Sequence, residues 1–87
     1  MEIRIQAIHF DVTERLDAFI RKKVAKLSQY HDGILDAEVI LRVVKPETAR
    51  NKQAGIRLQI KSNDCFAEKV SDTFEEAVDE AVVALEK

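Results

Sequence analysis

The hydrophobic and polar positions of this chain fall into six stretches with two different periods. Met1 to Ile8 alternates, with Ile3 and Ile5 on one side and Arg4 and Gln6 on the other, as a half-buried strand does. Leu16, Phe19, Ile20, Val24 and Leu27 then recur at helical spacing. This predicts a first helix running to about Tyr30, where His31-Asp32-Gly33 ends it with a glycine able to take positive φ. Its cap is either Asp11, with Glu14 three residues on, or Thr13 directly. Alternation returns from Ala37 to Lys45, where Val39, Leu41 and Val43 interleave with Glu38, Ile40, Arg42 and Val44, and Pro46 closes that strand. PETARNKQ reads as a polar connection. Ala54 to Lys61 predicts a third strand with Ile56, Leu58 and Ile60 on one face. Ser62-Asn63-Asp64 reads as a hairpin turn, and Cys65 to Val70 as a fourth strand whose phase the pattern leaves open. Phe74, Ala77, Val78, Ala81, Val82 and Leu85 form the apolar stripe of a second helix. Thr73 with Glu76, or Asp72 with Glu75, caps it. The order β-α-β-β-β-α predicts an α+β fold: a four-stranded sheet with two helices packed on one face, in a single domain over residues 1–87.

Composition narrows the class. A hydrophobic content of 46% beside 34% charged residues is that of a globular chain and argues against disorder. One cysteine, Cys65, forms no internal disulfide, which fits a reducing compartment. No apolar run approaches the ~20 residues a membrane span needs, and the charged, alternating MEIRIQAIHF does not resemble a signal peptide. The expectation is a cytoplasmic domain with no membrane contact.

The net charge of −2 hides a partition. Residues 15–61 carry eleven Lys and Arg against five acids, a balance of +6, while residues 62–87 carry −6. An asymmetry of this size marks either a polyanion-facing side or chance clustering on solvated faces. At ~100° per residue, Arg15, Lys22 and Lys26 fall in a narrow arc along one flank of the first helix's apolar face. Lys23 falls beside the apolar stripe itself. There its ammonium either snorkels past the sheet edge or stands ready for a phosphate. Arg42 and Lys45 lie on the second strand, Arg57 and Lys61 on the third. Tyr30 is the one aromatic the pattern offers for stacking on bases, so phosphate and shape recognition of folded RNA is favoured over splayed single strands.

Catalytic chemistry is scarce. His9 and His31 are the only histidines, and neither sits in a metal-ligand spacing. Cys65 lies in a strand as a small packed residue. There is no phosphate-cradling glycine loop, no CxxC, and no Ser/His/Asp set at a recognisable spacing. Glu75, Glu76, Asp79 and Glu80 read as the solvated side of an amphipathic helix. No enzyme, cofactor, metal or small-molecule substrate is expected.

Several motifs in order resemble one family. These are the M-x-[IL]-x-I opening strand, VTERLDAFI at the helix start, the basic KKVAKLSQYHD, the strand EVILRVVK, and the closing helix DTFEEAVDEAVVALEK. Together they resemble the ribosome hibernation-promoting factors and ribosome-associated inhibitors, also called sigma-54 modulation proteins, in a short form. The resemblance implies a β-α-β-β-β-α domain that binds the small ribosomal subunit and its ribosomal RNA near the decoding and tRNA-binding region. Occupancy there inhibits translation under stress or in stationary phase. Lys23 and Lys26 match the family's basic helix positions, and Arg42 and Lys45 its basic strand positions. Helix geometry adds Arg15 and Lys22, and the acidic second helix is expected to face away from the RNA. The family's last helix usually continues into a basic, glutamine- and lysine-containing end, and its long members carry a C-terminal dimerisation domain. This sequence ends at Ala84-Leu85-Glu86-Lys87. Pairing of ribosomes is therefore expected to need a separate dimerising partner. Two other classes remain: a general double-stranded-RNA module, which would bind any A-form duplex, and a protein-interaction modulator of transcription, which would show little salt dependence.

Overall fold

A computed structural model describes residues 1–45, 49–61 and 63–87. The elements are β1 (Glu2–Ala7), α1 (Glu14–Ala25), β2 (Ile34–Val43), β3 (Lys52–Ile60), β4 (Asn63–Ser71) and α2 (Phe74–Leu85). The strands form one sheet in the order β1-β2-β3-β4. β1 and β2 are parallel, and the other neighbours are antiparallel. The α+β layout expected from the periodicities is the one found.

Local chemistry sets the helix ends. Thr13 caps α1: its backbone is extended at φ −70° and ψ 157°, and its hydroxyl accepts a hydrogen bond from the Leu16 N–H. Asp11 is therefore not the cap. Thr73 caps α2 in the same way by accepting from the Glu76 N–H. The first helix does not stay α-helical to Tyr30. It tightens into a 3-10 turn over Lys26–Gln29, where the Ser28 hydroxyl donates to the Ala25 carbonyl. Such side-chain competition for backbone groups loosens a helix end. Gly33, at φ 77°, then reverses the chain.

β2 begins at Ile34, three residues before the alternation suggests. A register shift between Ile34 and Asp36 sets Leu35 outside the ladder, so the two-residue period is broken there. Asn63 and Asp64 are not turn residues, because they pair with Ile60 and Gln59. Ser62 and Pro46, assigned to a turn and a strand end, lie outside the described residues. The phase of β4 is also settled: Cys65 and Ala67 pair with Leu58 and Ile56 on the helix side, while Asp64, Phe66 and Glu68 take the other face.

Both helices cover one side of the sheet. Ala37, Val39 and Leu41 of β2 and Ala54, Ile56 and Leu58 of β3 are fully buried beneath Ile20, Val24, Leu27, Val78 and Ala81. The helices run parallel and side by side. Phe10 before α1 stacks on Phe74 at the start of α2, Lys23 meets Asp79 midway, and His31 meets the Leu85 carbonyl near the far ends. The opposite face is polar: a row of Arg4, Glu38, Arg57 and Phe66 crosses all four strands.

Leu27 is fully buried where the 3-10 turn meets the core, so Leu27→Ala should cost about 2–5 kcal/mol in chemical denaturation. Phe19 is only partly buried, and Phe19→Ala should cost less than Leu27→Ala in the same assay.

Candidate nucleic-acid interface

α1 presents its cations from a rigid base. Ile20, Val24 and Leu27 anchor the helix in the core, and Arg15, Lys22 and Lys26 stand exposed on its outer flank. Among the described residues no ion pair engages these three. At a rise of about 1.5 Å per residue they define a stripe roughly 16 Å long. Arg21 is different. Its guanidinium donates to Asp17 at 2.7 Å and to the Ile3 carbonyl at 3.1 Å, which ties α1 to the outer edge of β1.

Lys23, beside the apolar stripe, has partners of its own. Its ammonium lies 3.1 Å from the Asp79 carboxylate of α2 and 5.6 Å from the centre of the Phe19 ring. It forms one half of a bridge between the helices. The acidic second helix lies beside the basic one. Both apolar stripes must bury on the same side of a sheet whose other side is polar, so the helices become neighbours. Their axes then lie within about 10 Å. Glu75, Glu76, Asp79 and Glu80 remain exposed, yet Asp79 holds Lys23, and Glu80 accepts a hydrogen bond from the buried Ser71 hydroxyl.

The six residues singled out from the sequence do not make one patch. Arg15, Lys22, Lys23 and Lys26 share α1 or its final turn. Arg42 is exposed on β2, opposite Gln53, on the face turned away from the helices. Lys45 lies beyond the end of β2, exposed, with a left-handed φ of 47°. Other members of the basic block are held internally: Arg50 donates to the Val70 carbonyl at 3.2 Å, and Lys52 to the Asn51 side chain at 2.6 Å. The polar sheet face mixes signs, since Arg4 lies 3.6 Å from Asp36 and Arg57 stands beside Glu38. It offers no uniform basic surface. It does carry an aromatic that the periodicity concealed: Phe66 is 58% exposed beside Gly55, more open than Tyr30 at 53%. The His31 Nε2 donates to the Leu85 carbonyl at 2.5 Å. No cluster of metal-ligating side chains occurs among the described residues.

The family profile for sigma 54 modulation protein / S30EA ribosomal protein matches residues 3–87. The chain belongs to this family. No individually curated protein matches the sequence. The fold is similar to that of the Protein Y N-terminal domain of Thermus thermophilus, with a TM-score of 0.83 and 26% identity over 99% of this chain and 92% of that one. It is also similar to a ribosomal subunit interface protein from Coxiella burnetii, with a TM-score of 0.86 over 99% of this chain and 90% of the other; at 21% identity that likeness concerns the fold alone. The relatives of this S30EA-family chain are thus ribosome-associated proteins.

Lys23 and Asp79 are 27% and 52% exposed, so their bridge should contribute no more than about 1 kcal/mol. A Lys23→Met, Asp79→Asn double-mutant cycle on thermal unfolding should show that coupling, and added salt should shrink it. Lys22→Glu with Lys26→Glu should leave the melting temperature unchanged, whereas Lys23→Glu, set against Asp79, should lower it.

Proposed function

We propose that this protein binds the small ribosomal subunit through the α1 flank and inhibits translation by occupancy, without catalysis. The observation that carries the reading is the stripe of Arg15, Lys22 and Lys26, exposed and without ion-pair partners among the described residues, on a helix of an S30EA-family domain. Ammonium and guanidinium groups on a fixed helix neutralise RNA phosphates and release their counterions, which gives affinity and orientation without base contacts. The region near the decoding and tRNA-binding sites is the position this reading assigns, and stress or stationary phase the setting. Binding there excludes messenger and transfer RNA, so no reactive side chain is required. Residues 1–87 act as one ribosome-binding domain in the cytoplasm. No helix among the described residues is long and apolar enough to cross a membrane.

Lys23 belongs to the same surface only conditionally. While it bridges to Asp79 its charge is partly spent, and contact with an RNA phosphate requires exchange of one anion for another. Arg42 and Lys45 reach RNA from a second direction, around the end of the sheet, which suits a partner that encloses the domain better than a flat one.

Two substitution sets test this. Replacing Arg15, Lys22 and Lys26 with Gln should lower the slope of log affinity against log salt for small subunits by about two to three, since each cation neutralises about one phosphate. Asp79→Asn, which frees Lys23, should tighten binding at low salt. An unchanged slope in the first variant would remove α1 from the interface.

A further inference from the structure

At the end of the sheet where both helices begin, away from Lys22 and Lys26, the chain forms an open groove of about 500 Å³ lined by Ile8, His9, Phe10, Arg42 and Val43. Its size falls within the range of small-ligand sites. Three of its walls are apolar, its nitrogen groups are the Arg42 guanidinium and the His9 imidazole, and among the described residues no carboxylate lines it. The groove beside α2 is unlike it, since there Asp79 and Glu80 accompany Lys69 and Lys87.

The walls are held in place. The Ile8 N–H donates to the Leu41 carbonyl at 2.9 Å, and the Phe10 ring stacks on Phe74 with centroids 5.0 Å apart. Between these two anchors His9 adopts φ 67°, a left-handed conformation that costs a non-glycine residue free energy. Strain of this kind collects at binding sites, where the surrounding structure enforces it. Its effect here is to turn the chain away from β2 just after Ile8, beside Arg42.

We propose that this groove binds a nucleoside monophosphate unit. The base lies against Ile8, Phe10 and Val43, and the phosphate takes a charge-assisted hydrogen bond from Arg42 with His9 beside it. A phosphate alone would need only the cations, and an apolar segment alone would leave the guanidinium without use. The two halves together select a ligand with a flat apolar part and an anionic part. The unit belongs either to an RNA strand, which deepens the ribosome-binding reading, or to a free nucleotide. Sequence periodicity conceals the site because residues 8–10 belong to no regular element.

Amide NMR of the full chain tests the proposal, titrated in turn with adenosine 5′-monophosphate, inorganic phosphate and a short single-stranded RNA. Adenosine monophosphate should shift the amides of residues 8–10 and 42–43 saturably, and inorganic phosphate should bind there more weakly. Arg42→Gln should weaken nucleotide binding roughly tenfold or more, the effect of losing one charged hydrogen bond. His9→Gly removes the imidazole yet relieves the backbone, so binding should fall while the melting temperature holds or rises. A short RNA that binds more tightly than the mononucleotide assigns the site to an RNA strand; equal affinity assigns it to a free nucleotide. Shifts confined to α1, no saturable shift in the groove, or wild-type affinity in both variants would overturn the proposal. The titration contains no ribosome, so it can fail while the α1 reading stands, and the reverse.

Discussion

Everything in this molecule depends on the sheet being apolar on one side only. Val39, Leu41, Ile56 and Leu58 occupy its centre and are fully excluded from water, while the reverse face carries Arg4, Glu38, Arg57 and Gln59. Two amphipathic helices therefore have one surface on which to bury their stripes, and must lie next to each other. The chain is short, so a large share of its hydrophobic stabilisation rests on this single layer contact.

That packing decides the electrostatics. Side-by-side helices bring a basic flank and an acidic flank together, and the Lys23–Asp79 bridge marks where they meet. The slight negative net charge is thus distributed in a way that leaves α1's outer flank cationic while partly neutralising its inner edge. Arg15, Lys22 and Lys26 on that flank have no ion-pair partner among the described residues, and the proposed function rests on them. Lys23 differs from them in being held by Asp79 of α2. The same geometry separates Arg42 and Lys45 from the helix lysines, so a partner engaging all of them must wrap the end of the sheet.

The fold was legible because its periods are strong where burial is strong. The stripes of α1 and α2 and the alternation of β2 and β3 come from residues that ended fully buried, such as Val24, Val78, Val39 and Ile56. The edge strand β4 is covered less completely, and its Cys65-Phe66-Ala67 run carries no clear polarity, so its phase needed the pairing with β3. Thr13 and Asp11 offer the same capping chemistry, and only backbone geometry chose between them. On the candidate surface, the α1 stripe was readable from helix geometry alone. The partner of Lys23 was not, since Asp79 lies far along the chain and is brought near by helix packing. Arg50 and Lys52 counted as basic charge in the sequence, yet hydrogen bonds hold them to the Val70 carbonyl of β4 and to the neighbouring Asn51 side chain.

The central claim is that a cationic helix flank on this one-sided layer binds the small ribosomal subunit at a defined place. Co-sedimentation of the chain with small subunits across a salt series, with a generic RNA duplex as competitor, tests it most directly. The account expects pelleting that weakens as salt rises and that excess duplex fails to displace. Displacement by duplex in proportion to its phosphate would make this a general RNA module, and no pelleting at low salt would contradict the account outright.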